Sequence, residues 1–180
     1  DAMTEEKKAG RISICIGGAN YNAVQLREVL DVAQEKGYER FEVTQPNYNL
    51  AVPDAQNDLL PLCLKEGISV TPYSPLGAGF LTGKYTPDRS KIPARTRMHV
   101  APAHIDIYFN DRSFNIVDNL KTKADELGVP ITQLAMGWVM SHPAVTAALA
   151  GAKSTSHLQN AINAYNMDLN ELRDEMSAWE

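Results

Sequence analysis

Val70-Thr-Pro-Tyr73-Ser-Pro-Leu-Gly-Ala-Gly79 runs on through Phe80-Leu-Thr-Gly-Lys84-Tyr85. A β-prone start, Ile68 to Pro72, delivers an aromatic side chain, Tyr73, into a loop of small and rigid residues that ends in a lysine. In α/β proteins ligands gather where strands end. A flat ring at such a point can stack on a heterocycle, small residues let backbone N–H groups face an anion, and Lys84 can pair with a phosphate. An ordinary βα loop has the same outline, so the residues of this run leave both readings open.

Upstream the same unit recurs. Phe41-Glu-Val-Thr-Gln45 reads as a strand with Pro46-Asn-Tyr-Asn49 as its loop. A helix over Asp54 to Glu66 then buries Leu59, Leu60 and Cys63 and stops at Gly67. Before it, Ile12-Ser-Ile-Cys-Ile16 is a compact β-prone run leading into Gly17-Gly18-Ala19-Asn20. Asn22 with Gln25 makes a capping box for a helix that carries Leu26, Leu30 and Ala33 inward and closes at Gly37. Lys7-Lys-Ala-Gly10 has the form of a helix ending, so the chain is expected to open inside a helix whose earlier partner strand is absent. Strand starts fall roughly 30 residues apart, the length of a βα unit, which predicts a parallel sheet with right-handed crossovers.

Downstream the unit is interrupted by a long loop, residues 86–112. Its first part, Thr86 to His104, carries Pro87, Pro93 and Pro102 with no hydrophobic period and reads as a lid-like excursion, with plain disorder the alternative. Ser113 to Leu127 is then an amphipathic helix with Ile116, Leu120 and Leu127 inward, stopped by Gly128. Pro130 begins another, with Leu134, Trp138 and Val139 inward and His142-Pro143 at its end. Val145-Thr-Ala-Ala-Leu149 is the fourth expected strand, and Gly151-Ala-Lys153-Ser154 follows it. Two closing helices are expected, about Ser156 to Ala164 and Asn170 to Trp179.

Composition narrows the function classes. A net charge of −5 with scattered basic residues argues against a nucleic-acid partner. No apolar run reaches the roughly 20 residues of a membrane span, and the first residues lack the apolar core of a signal peptide. The two cysteines, Cys15 and Cys63, are too few for a disulfide framework and are expected as core thiols, which fits a reducing, cytoplasmic setting. His99, His104, His142 and His157 show no metal-ligand spacing.

The string PYSPLGAGFLTGKY resembles the loop after the seventh barrel strand of the aldo-keto reductases, in the branch that includes the potassium channel β subunits. GVPITQLAMGWVMSHPAV is similar to the family segment before the last strand. The resemblance spans nearly all 180 residues but only the second half of the family's barrel. It implies an α/β fold of the (β/α)8 TIM-barrel type with about four βα units present over residues 1–180. A closed barrel needs eight strands, so four alone leave open edges through which chains can associate.

The resemblance also implies an NADP(H) site. Asn20 matches the asparagine of a Ser-Asn pair that binds the nicotinamide carboxamide, with Ala19 standing where the serine would be. Gln45 matches a glutamine on the same group, and Tyr73 the aromatic that stacks on the ring. Ser74, Leu76, Gly77 and Gly79 match the pyrophosphate loop, and Lys84 a lysine near the phosphates. Gly151, Lys153, Ser154 and His157 fall where the family recognises the adenosine 2′-phosphate and adenine. There the family commonly reads Gln-Leu-x-Glu-Asn, whereas this chain has His157-Leu-Gln-Asn160-Ala161. The family's Asp, Tyr, Lys and His catalytic groups come from the first half of the barrel, so no catalytic residue and no metal ligand is expected here. The expected function is that of an NADP(H)-dependent reductase of aldehyde or ketone carbonyls in the full barrel, inactive as this half alone. A non-catalytic nucleotide-binding or interaction module, or a truncated fragment, are the alternatives.

Overall fold

The computed structural model describes residues 2–179. Helix α1 (Ala2–Lys8) ends in two lysines, and the amides of Arg11 and Ile12 turn back onto the Glu6 carbonyl. That turn takes up the start of the Ile12–Ile16 run, which is therefore not the expected strand. Ile14 is 81% exposed, and Cys15 is an exposed thiol rather than a core one. Pairing starts at Ile16, whose carbonyl accepts from the Glu42 amide at 2.9 Å. The strand itself, β1 (Gly17–Ala19), is short and glycine-rich. Gly17 has no room for a side chain, since a Cβ would drive into the Val43 carbonyl of the next strand.

Helix α2 (Ala23–Lys36) opens with the expected capping box: the Asn22 side chain accepts from the Gln25 amide at 2.8 Å and Gln25 Oε1 accepts from the Asn22 amide at 3.0 Å. Such a box is worth about 1 kcal/mol. Leu26, Leu30 and Ala33 are buried, and Gly37 ends the helix in the left-handed conformation. β2 (Val43–Gln45) lies parallel to β1, with Gly17 opposite Val43 and Ala19 opposite Gln45. After a 3-10 turn at Asp54–Gln56, α3 (Leu59–Glu66) buries Leu59, Leu60 and Cys63, and burial pushes the Cys63 thiol up to about 11.

β3 (Ser69–Val70) extends the sheet in the order β1-β2-β3, with Thr44 opposite Val70. The expected fourth strand lies beside β3 but is not a strand among the described residues. It makes one bridge, Val145 to Val70. The amides of Thr146 and Ala147 converge on the Val70 carbonyl, and the Thr146 hydroxyl accepts from the Val70 amide at 3.2 Å. With a side chain in a ladder position, regular alternation cannot propagate.

The excursion contains helical turns: Arg89–Lys91, α4 (Arg97–Val100) and α5 (Ala103–Tyr108). Met98 and Tyr108, almost fully buried, fasten it to the core. Asn110 caps α6 (Asp111–Leu127), which buries Ile116, Val117, Leu120 and Ala124; Leu127, expected inward, is 43% exposed at the helix end. α7 (Ile131–Met140) is apolar nearly all round and packs between α6 and α8 (Thr155–Tyr165). α9 (Arg173–Ser177) is shorter than expected. Its Arg173 donates to the Trp138 carbonyl, to Ser141 Oγ at 3.0 Å and to the Tyr48 hydroxyl at 2.7 Å, which closes the open end of α7. No helix among the described residues is long and apolar enough to cross a membrane.

Candidate functional site

Parallel pairing sends every strand end to one side of the sheet, and the candidate residues follow the strand ends. Asn20 comes directly after β1, Gln45 ends β2, and Tyr73 lies three residues beyond β3. The backbone of Tyr73 is still in register, its amide donating to the Pro46 carbonyl at 3.0 Å. Leu149 donates to the Pro72 carbonyl at 3.0 Å, so Gly151 to Ser154 emerge on this side too.

Asn20, Gln45 and Tyr73 are brought together by hydrogen bonds. The Asn20 amide donates to the Gln45 carbonyl at 3.2 Å, and the Tyr73 hydroxyl donates to Asn20 Oδ1 at 2.9 Å. With its oxygen engaged, the group that Asn20 offers a ligand is its NH2. Asn20 holds this place with φ 62°, a left-handed conformation that asparagine tolerates better than most residues. Partial burial, with Tyr108 adding, raises the Tyr73 phenol above its ordinary range. Beside this trio a cleft of about 220 Å³ opens along Gly17 to Ala19, Val43 to Gln45 and Thr71.

The loop after Tyr73 is held in a run of left-handed residues: Ser74 at φ 55°, Gly77 at 57°, Ala78 at 56° and Gly79 at 88°. The amides of Gly77 and Gly79 are spent inside the loop, on the Ser74 and Leu76 carbonyls at 2.8 and 2.9 Å. These glycines therefore provide close approach rather than donors. Lys84 lies across the space left at Gly79, where a Cβ would sit 3.1 Å from its ammonium nitrogen. That nitrogen is also 5.2 Å from the Tyr85 ring centre. Beneath the loop Phe80 is the hub of an aromatic cluster with Tyr85, Tyr108, Phe109 and Phe114, at 5.0 to 6.2 Å between centres.

Gly151, Lys153, Ser154 and His157 form a second group, all exposed. Ser154 is the N-cap of α8, its Oγ accepting from the His157 amide at 3.3 Å, and His157 Nδ1 accepts from the Lys153 amide at 3.2 Å. The ammonium groups of Lys84 and Lys153 make no ion pair among the described residues. Asn160 is turned to the scaffold, donating to Thr132 Oγ1 at 2.8 Å.

Three residues beside the site carry no expectation from sequence: Asn47, Asn49 and Tyr108. Asn49 is fully buried, and its side chain reaches Ser74, Asn47 and Tyr108. The two asparagines sit in a loop whose composition reads as a plain turn. A larger cleft, about 410 Å³, lies near Arg27, Asp31, Tyr38, Arg40 and Glu66. It is at the other end of the sheet and its charges pair internally, Arg27 with Glu66 at 2.6 Å and Asp31 at 3.6 Å, so it is a joint of the scaffold. Among the described residues no group of three acidic, His or Cys side chains is arranged to hold a metal.

The sequence profile of the Aldo/keto reductase family matches residues 1–180. A probable voltage-gated potassium channel subunit beta from Arabidopsis thaliana is 33% identical over 84% of this chain and 46% of its own length. An NADH-specific methylglyoxal reductase from Escherichia coli is 28% identical over 94% of this chain and 48% of its own. The solved structure of a glycerol dehydrogenase from Gluconobacter oxydans superposes with a TM-score of 0.74 at 22% identity, over 97% of this chain and 50% of that one. The three parallel strands and their helices are thus part of a TIM-barrel architecture, and the chain spans about half the length of the relatives it matches.

Proposed function

The chain belongs to the aldo/keto reductase family, and on that premise we propose that it carries the NADP(H)-binding half of a cytoplasmic carbonyl reductase. The observation that carries the reading is the joined trio of Asn20, Gln45 and Tyr73 at one end of the sheet, continued by the loop to Lys84. The donor set fits the group. Gln45 can donate and accept at once, as a carboxamide requires, and Asn20 has an NH2 to give. Tyr73 offers a ring held at its hydroxyl. Gly79 lets the Lys84 ammonium lie close against the loop backbone, and the capped start of α8 with Lys153 is a second anion site.

A bound nicotinamide cofactor supplies the hydride that reduces a carbonyl. The work of these residues is to fix the carboxamide with Asn20 and Gln45, to flank the ring with Tyr73, and to neutralise phosphate charge with Lys84 and Lys153. The proton-donating groups would come from the half of the barrel that the relatives have beyond this match. Titrating the purified 180-residue chain with NADPH by nicotinamide fluorescence, then adding an aldehyde, tests both parts. Saturable binding with no aldehyde-dependent oxidation is the expected result. Absence of binding overturns the cofactor assignment, and turnover overturns the division of labour.

One observation favours a second reading, a nucleotide-binding module without turnover: the 33% identity to a channel β subunit. Tight NADPH binding by a protein that includes both barrel halves, with no oxidation across a panel of aldehydes and ketones, would select it.

A further inference from the structure

Asn49 is a polar side chain with no exposed surface, and each of its polar atoms is used. Its Oδ1 accepts from the amides of Ala51 and Val52, both at 3.1 Å, which fixes the orientation of the carboxamide. Its Nδ2 then points to the Ser74 carbonyl at 3.1 Å, Asn47 Oδ1 at 3.1 Å and the Tyr108 hydroxyl at 3.3 Å. Ser74 is the first left-handed residue of the loop, a conformation that costs a non-glycine residue free energy unless its surroundings hold it. Its carbonyl receives two donors, the Asn49 side chain and the Gly77 amide. Tyr108 belongs to the excursion, yet its hydroxyl meets the Asn49 and Asn47 amides and its ring lies under Gly77 and stacks on Phe80 at 5.7 Å.

We infer that Asn49 and Tyr108 are positioning residues that clamp the Ser74–Gly79 loop in its ligand-ready shape, so that the shape depends on the excursion being seated. Asn49 sets the backbone at Ser74 from one side. Tyr108 supports the loop from below and supplies the hydroxyl that Asn49 bonds. The functional consequence rests on the cofactor reading above, while the mechanical one does not.

The test is hydrogen exchange of the full chain with Tyr108→Phe, which keeps the stacked ring and removes only the hydroxyl, and with Asn49→Ala. Exchange over residues 74–83 should rise about fivefold in Tyr108→Phe and about tenfold or more in Asn49→Ala, with α2 and α7 unchanged. NADPH dissociation constants should rise by similar factors. Unchanged loop exchange in Tyr108→Phe overturns the clamp, and so does faster exchange spread evenly over the chain, which is general destabilisation. If the wild type binds no NADPH while loop exchange still responds, the cofactor reading fails and the clamp stands. Should Asn49→Ala not fold, Tyr108→Phe decides alone.

Discussion

The two groups of candidate residues are built in different ways. Asn20, Gln45, Tyr73 and the Ser74–Lys84 loop are tied by long-range hydrogen bonds and backed by fully buried side chains: Asn49, Phe80 and Tyr108. Gly151, Lys153, Ser154 and His157 are exposed, and among the described residues the side chains of Ser154 and His157 are held by bonds within four residues of one another. The first group is preorganised by the fold, and the second by the ordinary start of a helix. On the proposed reading, a nucleotide finds the first group ready-made and brings order to the second.

The sharpest way to break this contrast is Gly17→Ala. The new methyl group meets the Val43 carbonyl, which is backbone in the adjacent strand and cannot move aside without opening the β1–β2 pairing. A stability loss of about 3 kcal/mol or more is expected, read as a large fall in melting temperature. A variant that melts like the wild type would show that the sheet beneath the trio is slack.

Acid titration comes next. His142 stacks edge-on to Tyr48 beneath the packed side, and burial, with Arg173 adding repulsion, lowers its pKa to about 4. A histidine depressed in the fold binds fewer protons there than in the unfolded chain. Its contribution is therefore fully present above about pH 6.5 and is lost as the pH falls toward 4, at roughly 2–3 kcal/mol. His142→Gln should flatten that acid limb of a pH-dependent melting series. A limb that persists unchanged in the variant must belong to other groups.

Smaller effects separate the two ligand regions. Tyr73→Phe removes the bond to Asn20 and should weaken NADPH about fivefold, with a similar loss for NADH, because that part of the ligand is common to both. Lys153→Ala should weaken NADPH about threefold and leave NADH alone if this exposed charge serves the extra phosphate as proposed. Equal losses for both nucleotides in Lys153→Ala would remove the 2′-phosphate assignment. The least effect belongs to Gly151→Ala, where an added Cβ meets nothing within 4 Å and stability should stay within about 0.5 kcal/mol of the parent.

Local rules in the chain were enough for the caps and stops of the longer helices, but not for the start of α3, which begins at Leu59 rather than Asp54, nor for the short helices of the excursion. The Asn22–Gln25 box and the stops at Gly37, Gly67 and Gly128 are where the residues predict them, since a cap is settled by neighbours three or four positions away. The strands were harder. Ile12–Ile16 has the β-branched composition of a strand but turns back to close α1, and Gly17–Ala19, poor in β propensity, pairs because only glycine admits the Val43 carbonyl so closely. The fourth segment has strand composition as well, and a single threonine side chain in the ladder is enough to keep it irregular.

The same division holds for the site. Tyr73, the glycine-rich loop and Lys84 stand out as candidates from their order along the chain, since a strand end followed by small residues and a cation is a local pattern, although an ordinary βα loop shares it. The bond from Tyr73 to Asn20 across 53 residues and that from Asn49 to Tyr108 across 59 have no local signature. Sequence alone determined the cap at Asn22, the helix stops at Gly37, Gly67 and Gly128, and the order of the βα units, all through contacts within a turn of the chain. Tertiary structure alone decided which of the candidate residues touch and which are buried, because the side chains that clamp the loop come from segments that meet only once the sheet and its excursion have packed.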